Sequence, residues 1–232
     1  MNKDKIIEFI DDIKGVKDDL PYVGSCSKAF NFFKRIRMKR FLKTLNNEVE
    51  KWPEKERKHF NNYIESKVGQ TLLADYIDTT LLTSSKIAQA ALALLYSDIT
   101  NVVYSMRFKM LACQALRGCT DHLVEVFLLL ISLDFKEYSQ SPYIIRSIHQ
   151  GEETQFPELF NLLDDPIDIF TSVNDLIRRS ILLPDYAGAR LGDENHWSCL
   201  FGISKDTQKY HKLLSDAKQT MTGVITESDI NA

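Results

Sequence analysis

Apolar residues recur every three or four positions through the middle of this chain, and that period fixes its structural class. Ile87, Ala88, Ala91, Leu92, Leu95 and Ile99 share one helical stripe. Leu72, Leu73, Tyr76 and Ile77 precede them, and Met106 to Leu116 and His122 to Leu133 repeat the pattern. Successive residues of an α-helix advance about 100° around its axis, so this spacing lays one side of each helix against a core. The alanines of the Lys86 to Ile99 segment predict close approach between helices. Leu123 to Leu133 is the most apolar run. It carries Glu125 and falls short of the roughly 20 residues that span a bilayer, so a core helix is predicted.

The flanks extend the helical reading. Ile6, Phe9, Ile10 and Ile13 mark an opening amphipathic helix that Gly15 ends, and Pro21 and Gly24 mark a break. A long helix is predicted from near Ser25, with Met38, Phe41, Leu42, Leu45 and Val49 on one stripe. Trp52-Pro53-Glu54 interrupts it, since Pro53 suits only the first turn of a new helix. That next helix is expected to bury Phe60, Tyr63, Ile64 and Val68 and to end at Gly69. Thr83, Ser84 and Ser85 offer N-caps, and Gly118 is a hinge.

Later the pattern weakens. Pro142, Gly151, Pro157 and Pro166 punctuate residues 136–166, which read as an irregular connection with short helices. A helix from Ile167 to Ser180 follows, then two strands, Ile181 to Pro184 and His196 to Phe201, joined by a turn-rich loop. Ser204 caps a last helix that buries Tyr210, Leu213, Leu214 and Ala217. The expected fold is therefore mainly all-α: a multi-helix bundle (1–135), the irregular connection (136–166), a helix–β-hairpin–helix unit resembling a winged helix (167–220) and a disordered tail (221–232).

Composition bounds the chemistry. The 232 residues are 44% hydrophobic and 26% charged, enough apolar content for a packed core. A net charge of −3 means that any anion binding must come from a local patch. The cysteines, Cys26, Cys113, Cys119 and Cys199, lack C-x-x-C spacing, which predicts reduced thiols in a cytoplasmic protein and no zinc site. Charges recur from Lys3 to Asp12, so no signal-peptide run is expected there. The phosphate-binding, dinucleotide-binding, nucleophile-elbow and zinc-protease signatures do not occur, which lowers the expectation of an enzyme, and no cofactor is expected.

One local anomaly stands out. Lys28, Lys34, Arg35, Arg37, Lys39, Arg40 and Lys43 crowd one segment, and no acid falls between Asp19 and Glu48. Phe30, Phe32, Phe33 and Phe41 interleave with them. Such a helix can neutralise phosphates of a nucleic acid, meet an acidic protein surface, or lie on an anionic membrane. It can equally be a solvated face over a core-facing aromatic stripe. The ten acids between Glu152 and Glu194 offer an internal or head-to-tail partner, and hence a route to a homo-oligomer.

Weaker chemical candidates are few. Asp121, His122 and Glu125 share a helix face and are the best catalytic or metal candidates, although no third or fourth ligand lies nearby and a helix cap explains Asp121 as well. Asp164, Asp165 and Asp168 suit a divalent cation or simply a helix N-terminus. His196 and Cys199 stand three apart on a predicted strand, so they face opposite ways and make no nucleophile pair.

Pro21-Tyr22-Val23-Gly24, Lys86-Ile87-Ala88-Gln89-Ala90 and Phe201-Gly202-Ile203-Ser204 resemble segments of a loosely defined set of uncharacterised bacterial helical proteins. Members of that set are often encoded near mobile elements or phage-defence genes. The resemblance implies a bacterial origin and a defence or regulatory setting, and it carries over no site residue. The reading is a non-enzymatic helical module that binds an anionic partner through Lys34, Arg35, Arg37, Lys39, Arg40 and Lys43. The alternatives are a hydrolase-like enzyme using Asp121, His122 and Glu125, and an effector of anionic membrane surfaces.

Overall fold

The computed structural model describes residues 24–99, 102–140, 143–184 and 197–222. Six helices come first: α1 (Gly24–Glu50), α2 (Glu54–Glu65), α3 (Lys67–Leu82), α4 (Lys86–Ser97), α5 (Met106–Leu116) and α6 (Asp121–Ser132). Strands β1 (Lys136–Gln140) and β2 (Tyr143–His149) follow, then the short α7 (Pro157–Phe160) and α8 (Asp168–Arg178). Strands β3 (Leu183–Pro184) and β4 (Ser198–Ile203) and helix α9 (Lys205–Thr222) complete the described chain. The mainly helical class and the helix–hairpin–helix order near the C-terminus are as the sequence predicts. The opening helix expected around Ile6 to Ile13 and residues 223–232 of the expected disordered tail lie outside the described residues, whereas Met221 and Thr222, the first two residues of that tail, belong to α9.

Helix α4 is the hub. Ten of its twelve residues are buried, so it is enclosed all round rather than along one stripe. Its alanines, Ala88, Ala90, Ala91 and Ala93, let α1 and α9 pack closely against it, and α3, α5 and α6 touch it as well. Ser85 starts it, its hydroxyl accepting the Ala88 N–H at 3.0 Å. One continuous apolar cluster runs from Met38 in α1 to Ala217 in α9 and takes in Ile148, Cys199 and Phe201 of the strands. The bundle and the C-terminal unit thus share a core.

The break between α2 and α3 falls at Ser66, not at Gly69. Ser66 is extended (φ −72°, ψ 151°), and its hydroxyl accepts the Gly69 N–H at 3.0 Å. Gly69 lies inside α3 because the α2 backbone crosses there: an added Cβ would stand 1.9 Å from the Tyr63 carbonyl oxygen. The shifted break also moves Val68 out of the buried face of α2, and its side chain is exposed. Gly118 does turn the chain between α5 and α6, at φ +73°.

Residues 136–166 open with a hairpin where short helices and loops were expected. Lys136 pairs with Ser147 and Gln140 with Tyr143. β2 pairs in turn with β4, and β3 pairs with β4 through Leu183↔Gly202 and Pro184↔Phe201. The result is an antiparallel sheet ordered β1-β2-β4-β3. The expected C-terminal hairpin is half of it. Pro184 sits on an edge strand, where a missing N–H is tolerated.

Three arginines tie these parts together by one device. The last carbonyls of a helix have no intrahelical donor and carry partial negative charge. Arg37 of α1 donates to the Leu81 carbonyl near the end of α3 at 2.5 Å. Arg179 donates to the Ala115 and Arg117 carbonyls at the end of α5 at 3.1 and 2.6 Å. Arg146 of β2 donates to the Leu130, Ile131 and Leu133 carbonyls at the end of α6, while Glu137 holds its other edge at 2.7 Å. Among the described residues, no helix is long and apolar enough to cross a membrane.

Candidate functional site

Helix α1 divides its side chains sharply. Met38, Phe41, Thr44 and Leu45 are buried, facing α4. Phe32, Arg35, Lys39 and Lys43 stand at i, i+3, i+7 and i+11, and all four are exposed. Phe32 and Phe33 are 58% and 57% exposed and meet edge to face, with ring centres 5.8 Å apart. Lys34, Arg37 and Arg40 are half-buried. Arg37 is committed to the Leu81 carbonyl, so it belongs to the fold and not to the outward face. Arg35, Lys39 and Arg40 form no side-chain hydrogen bond or ion pair among the described residues. Of the interleaved aromatics, Phe41 is core and Phe32 and Phe33 are surface, while the side chain of Phe30 lies outside the described residues.

The Asp121, His122 and Glu125 constellation does not converge. The Asp121 carboxylate accepts from Ser85 Oγ at 2.8 Å and from the Lys86 N–H at 2.7 Å, so it caps α4. His122 lines a shallow cleft with Asp164, Asp168 and Asp175, whereas Glu125 opens onto a different one with Ser132 and Lys218. Asp165 and Asp168 cap the start of α8: the Asp165 carboxylate accepts the Ile167 N–H at 2.9 Å, and Asp168 accepts the Asp165 N–H at 3.2 Å. Among the described residues, no group of three or more His, Cys, Asp or Glu side chains is placed to hold a metal ion.

Two features escaped sequence reasoning. Ser132 Oγ lies 3.2 Å from His211 Nε2, across 79 residues of sequence. The hydroxyl donates to the Leu128 carbonyl at 2.7 Å, so its one proton is already placed and the imidazole is the donor to it. Burial and the nearby Arg146 guanidinium hold His211 below its usual value. This pair is a packing contact, not an activated nucleophile.

The second is a cavity of about 350 Å³ between α3, α4 and α5. Tyr63, Tyr76 and Tyr96 gather on one side of it, and Met106 and Met110 of α5 reach its mouth. Lys109 is buried in its wall, with Nζ 3.3 Å from the Asp98 carboxylate and donating also to the Asp98 carbonyl. Asp98 accepts the Tyr104 N–H at 2.9 Å as well, so the pair fastens the end of α4 to the start of α5. Burial pulls the Lys109 amine below its usual value, and Asp98 opposes that only in part. Burial pushes the Cys113 thiol up to about 11. A signal was present in the sequence, since Lys109 stands on the same stripe as Ala112 and Leu116. No family model, no curated protein and no solved structure matches this chain.

Proposed function

We propose that the chain is a non-enzymatic interaction module whose α1 face binds the phosphate backbone of a nucleic acid. The observation that carries this reading is the exposed stripe Phe32–Arg35–Lys39–Lys43 on the side of α1 away from the core. Its two lysines lie four residues apart, about 6 Å along a helix axis, and Arg35 precedes Lys39 by the same interval. Cations in such a row replace condensed counterions along a phosphate chain. The exposed Phe32 and Phe33 rings at one end offer flat faces on which unpaired bases stack. A surface that joins cations to aromatic faces favours single strands over duplex. The resemblance noted from the sequence would set this activity in bacterial defence.

The membrane alternative is less well supported by the same helix. A helix lying in a bilayer surface needs its apolar face free. Here Met38, Phe41 and Leu45 are buried where α1 packs on α4, which among the described side chains of α1 leaves the Phe32–Phe33 pair to insert.

Fluorescence anisotropy with a labelled oligothymidylate at two salt concentrations tests the proposal. Binding should weaken steeply with salt. The double substitution Arg35→Glu, Lys39→Glu should flatten the log–log slope by about 1.4, at about 0.7 per single-strand phosphate contact. No binding at low salt, or an unchanged slope in the double variant, rejects it. Co-sedimentation with phosphatidylserine vesicles but no oligonucleotide binding would transfer the face to the membrane reading.

A further inference from the structure

A second cleft, of about 660 Å³, opens where the end of α1, the first half of α2, the end of α4 and the second half of α9 meet. That volume is of the order ligand pockets have. Trp52 forms one wall, half-buried, with its ring edge to face on Phe60 at 5.5 Å. Leu94, Ile99 and Val103 add apolar surface.

Tyr104 lines this cleft and is 6% exposed. Its ring stacks on Phe108, with centres 5.4 Å apart, and its hydroxyl has no hydrogen-bond partner among the described residues. Unlike the Tyr76 hydroxyl, which is sealed off, that of Tyr104 keeps accessible surface, so a bound molecule can reach it.

Charge in the cleft is unbalanced. Glu48 is matched by Lys51 at 2.8 Å, and Asp98 by Lys109. Glu56 and Asp216 are exposed, and neither carboxylate has an ion-pair partner among the described residues. Lys212, one turn from Asp216 on α9, is exposed and does not pair with it. Two free carboxylates thus stand against one free ammonium. Burial first, and then Asp216 and Asp98, push the Tyr104 phenol up to about 12. The hydroxyl therefore lies in a negative potential, which repels an anion and attracts a cation. Carboxylates alone would be an ordinary solvated face. Here a hydroxyl more than nine-tenths buried and an indole wall stand beside them. An ammonium can donate to a carboxylate and to a phenol oxygen at once, and an apolar body has the Trp52 ring to pack on.

We infer that this cleft binds a small organic cation, a protonated amine on an aromatic or apolar body, with the ammonium between Asp216 and the Tyr104 hydroxyl and the body against Trp52. The site is separate from the Phe32–Lys43 stripe of α1 and does not depend on it.

Two probes of one shape test this. 2-Phenylethylamine is an ammonium at neutral pH, and 2-phenylethanol is its uncharged counterpart. Each is titrated into the ¹⁵N-labelled full chain and followed by amide shifts and by the indole N–H signal of Trp52. The amine should move signals of Trp52, α2 and α9 and bind about tenfold tighter than the alcohol, the discrimination that hydrogen bonds to a charged group supply. Asp216→Asn should keep the fold, since that carboxylate holds no other side chain, and bring the two probes level. Tyr104→Phe keeps the ring on Phe108 and should weaken the amine about fivefold, as loss of one hydrogen bond does. Equal affinity of the two probes for the unaltered chain overturns the inference, and so does a preference for the amine that survives Asp216→Asn. Amine shifts scattered over acidic residues elsewhere, or no shifts around this cleft at millimolar concentration, overturn it as well.

Discussion

The Asp121 carboxylate closes the N-terminus of α4 through Ser85, whose hydroxyl it accepts at 2.8 Å, so the first residue of α6 completes a cap on another helix. Ser85 in turn accepts the Ala88 N–H, and Asp121 takes the Lys86 N–H directly. The Ile87 N–H reaches the same carboxylate at 3.4 Å, so three of the four unpaired donors of α4 are satisfied this way. Asp121→Ala should therefore destabilise the fold by about 1–2 kcal/mol, the range for losing a cap with a charged acceptor. His122→Ala and Glu125→Ala, which take no part in the cap, should stay within about 0.5 kcal/mol. Urea denaturation of the three variants checks this. Equal losses in all three would mean that the side chains act as one unit after all.

Arg35 and Arg37 stand two residues apart on α1 and are assigned opposite roles. Arg37 serves the Leu81 carbonyl, 44 residues away, while Arg35 faces solvent with no partner among the described residues. Removing a charged donor from a half-buried carbonyl costs about 1.5–3 kcal/mol. Arg37→Ala should lower the free energy of unfolding by that amount and bring the urea midpoint down with it. Arg35→Ala should leave the midpoint alone and lower the affinity for oligothymidylate. A thermal melt and an anisotropy titration on each variant separate the two effects, and the reverse assignment would show as the reverse pattern.

The parts of this structure that the sequence discloses are those in which burial repeats locally. The stripes of α1, α5, α6 and α9 are legible because each helix hides the same side turn after turn, α4 is legible as an apolar run buried all round, and Ser85, Ser204 and Gly118 punctuate them where capping and turning chemistry requires. The β1–β2 hairpin is not legible. Lys136-Glu137-Tyr138-Ser139-Gln140 has no apolar alternation, and it becomes a strand only through pairing with β2. Gly69 misleads for a related reason: it marks a close crossing of two backbones, not a helix end. At the α1 face the sequence shows that cations are concentrated. It does not show that Arg37 is spent on a carbonyl of another helix. The Tyr76 hydroxyl, buried without a hydrogen-bond partner among the described residues, and the Lys109–Asp98 pair are likewise properties of contacts, invisible to spacing.

Gly69 gives a sharp steric prediction. The Cβ of an alanine there would lie 1.9 Å from the Tyr63 carbonyl oxygen and 2.7 Å from its carbon, both backbone atoms that no rotamer change can move. The same residue supplies the carbonyl that receives Tyr96. Gly69→Ala should destabilise by about 3 kcal/mol, the upper end for overpacking, even though alanine is the better helix former. Gly151→Asn makes a useful contrast. That glycine has φ +90° but nothing within 4 Å of an added Cβ, so only backbone strain opposes the change. Circular dichroism melts of both variants test whether contact outweighs conformation at Gly69.

Alkaline pH should unfold this protein through its buried thiols and phenols. Burial holds Cys113 and Cys119 up to about 11 and Cys199 up to about 12, against 9.0 for the free thiol. Tyr104 is held up to about 12 against 10.0, again chiefly by burial. These groups stay neutral in the folded chain, while the unfolded chain releases their protons first. Their contribution to stability is fully present below pH 9.0 and is lost as pH rises toward the folded values. Lys109 runs the other way: its lowered value means that stability is regained as pH rises toward 10.5, but one amine opposes several acids. The urea midpoint should therefore hold steady from pH 7 to about 8.5 and fall steeply above 9. Cys119→Ala with Cys199→Ala should make the fall shallower while lowering the starting stability, because each removes a buried thiol that ionises only on unfolding. A midpoint that stays level to pH 10.5 in the unaltered chain would mean that these groups are far more accessible to water than their burial implies.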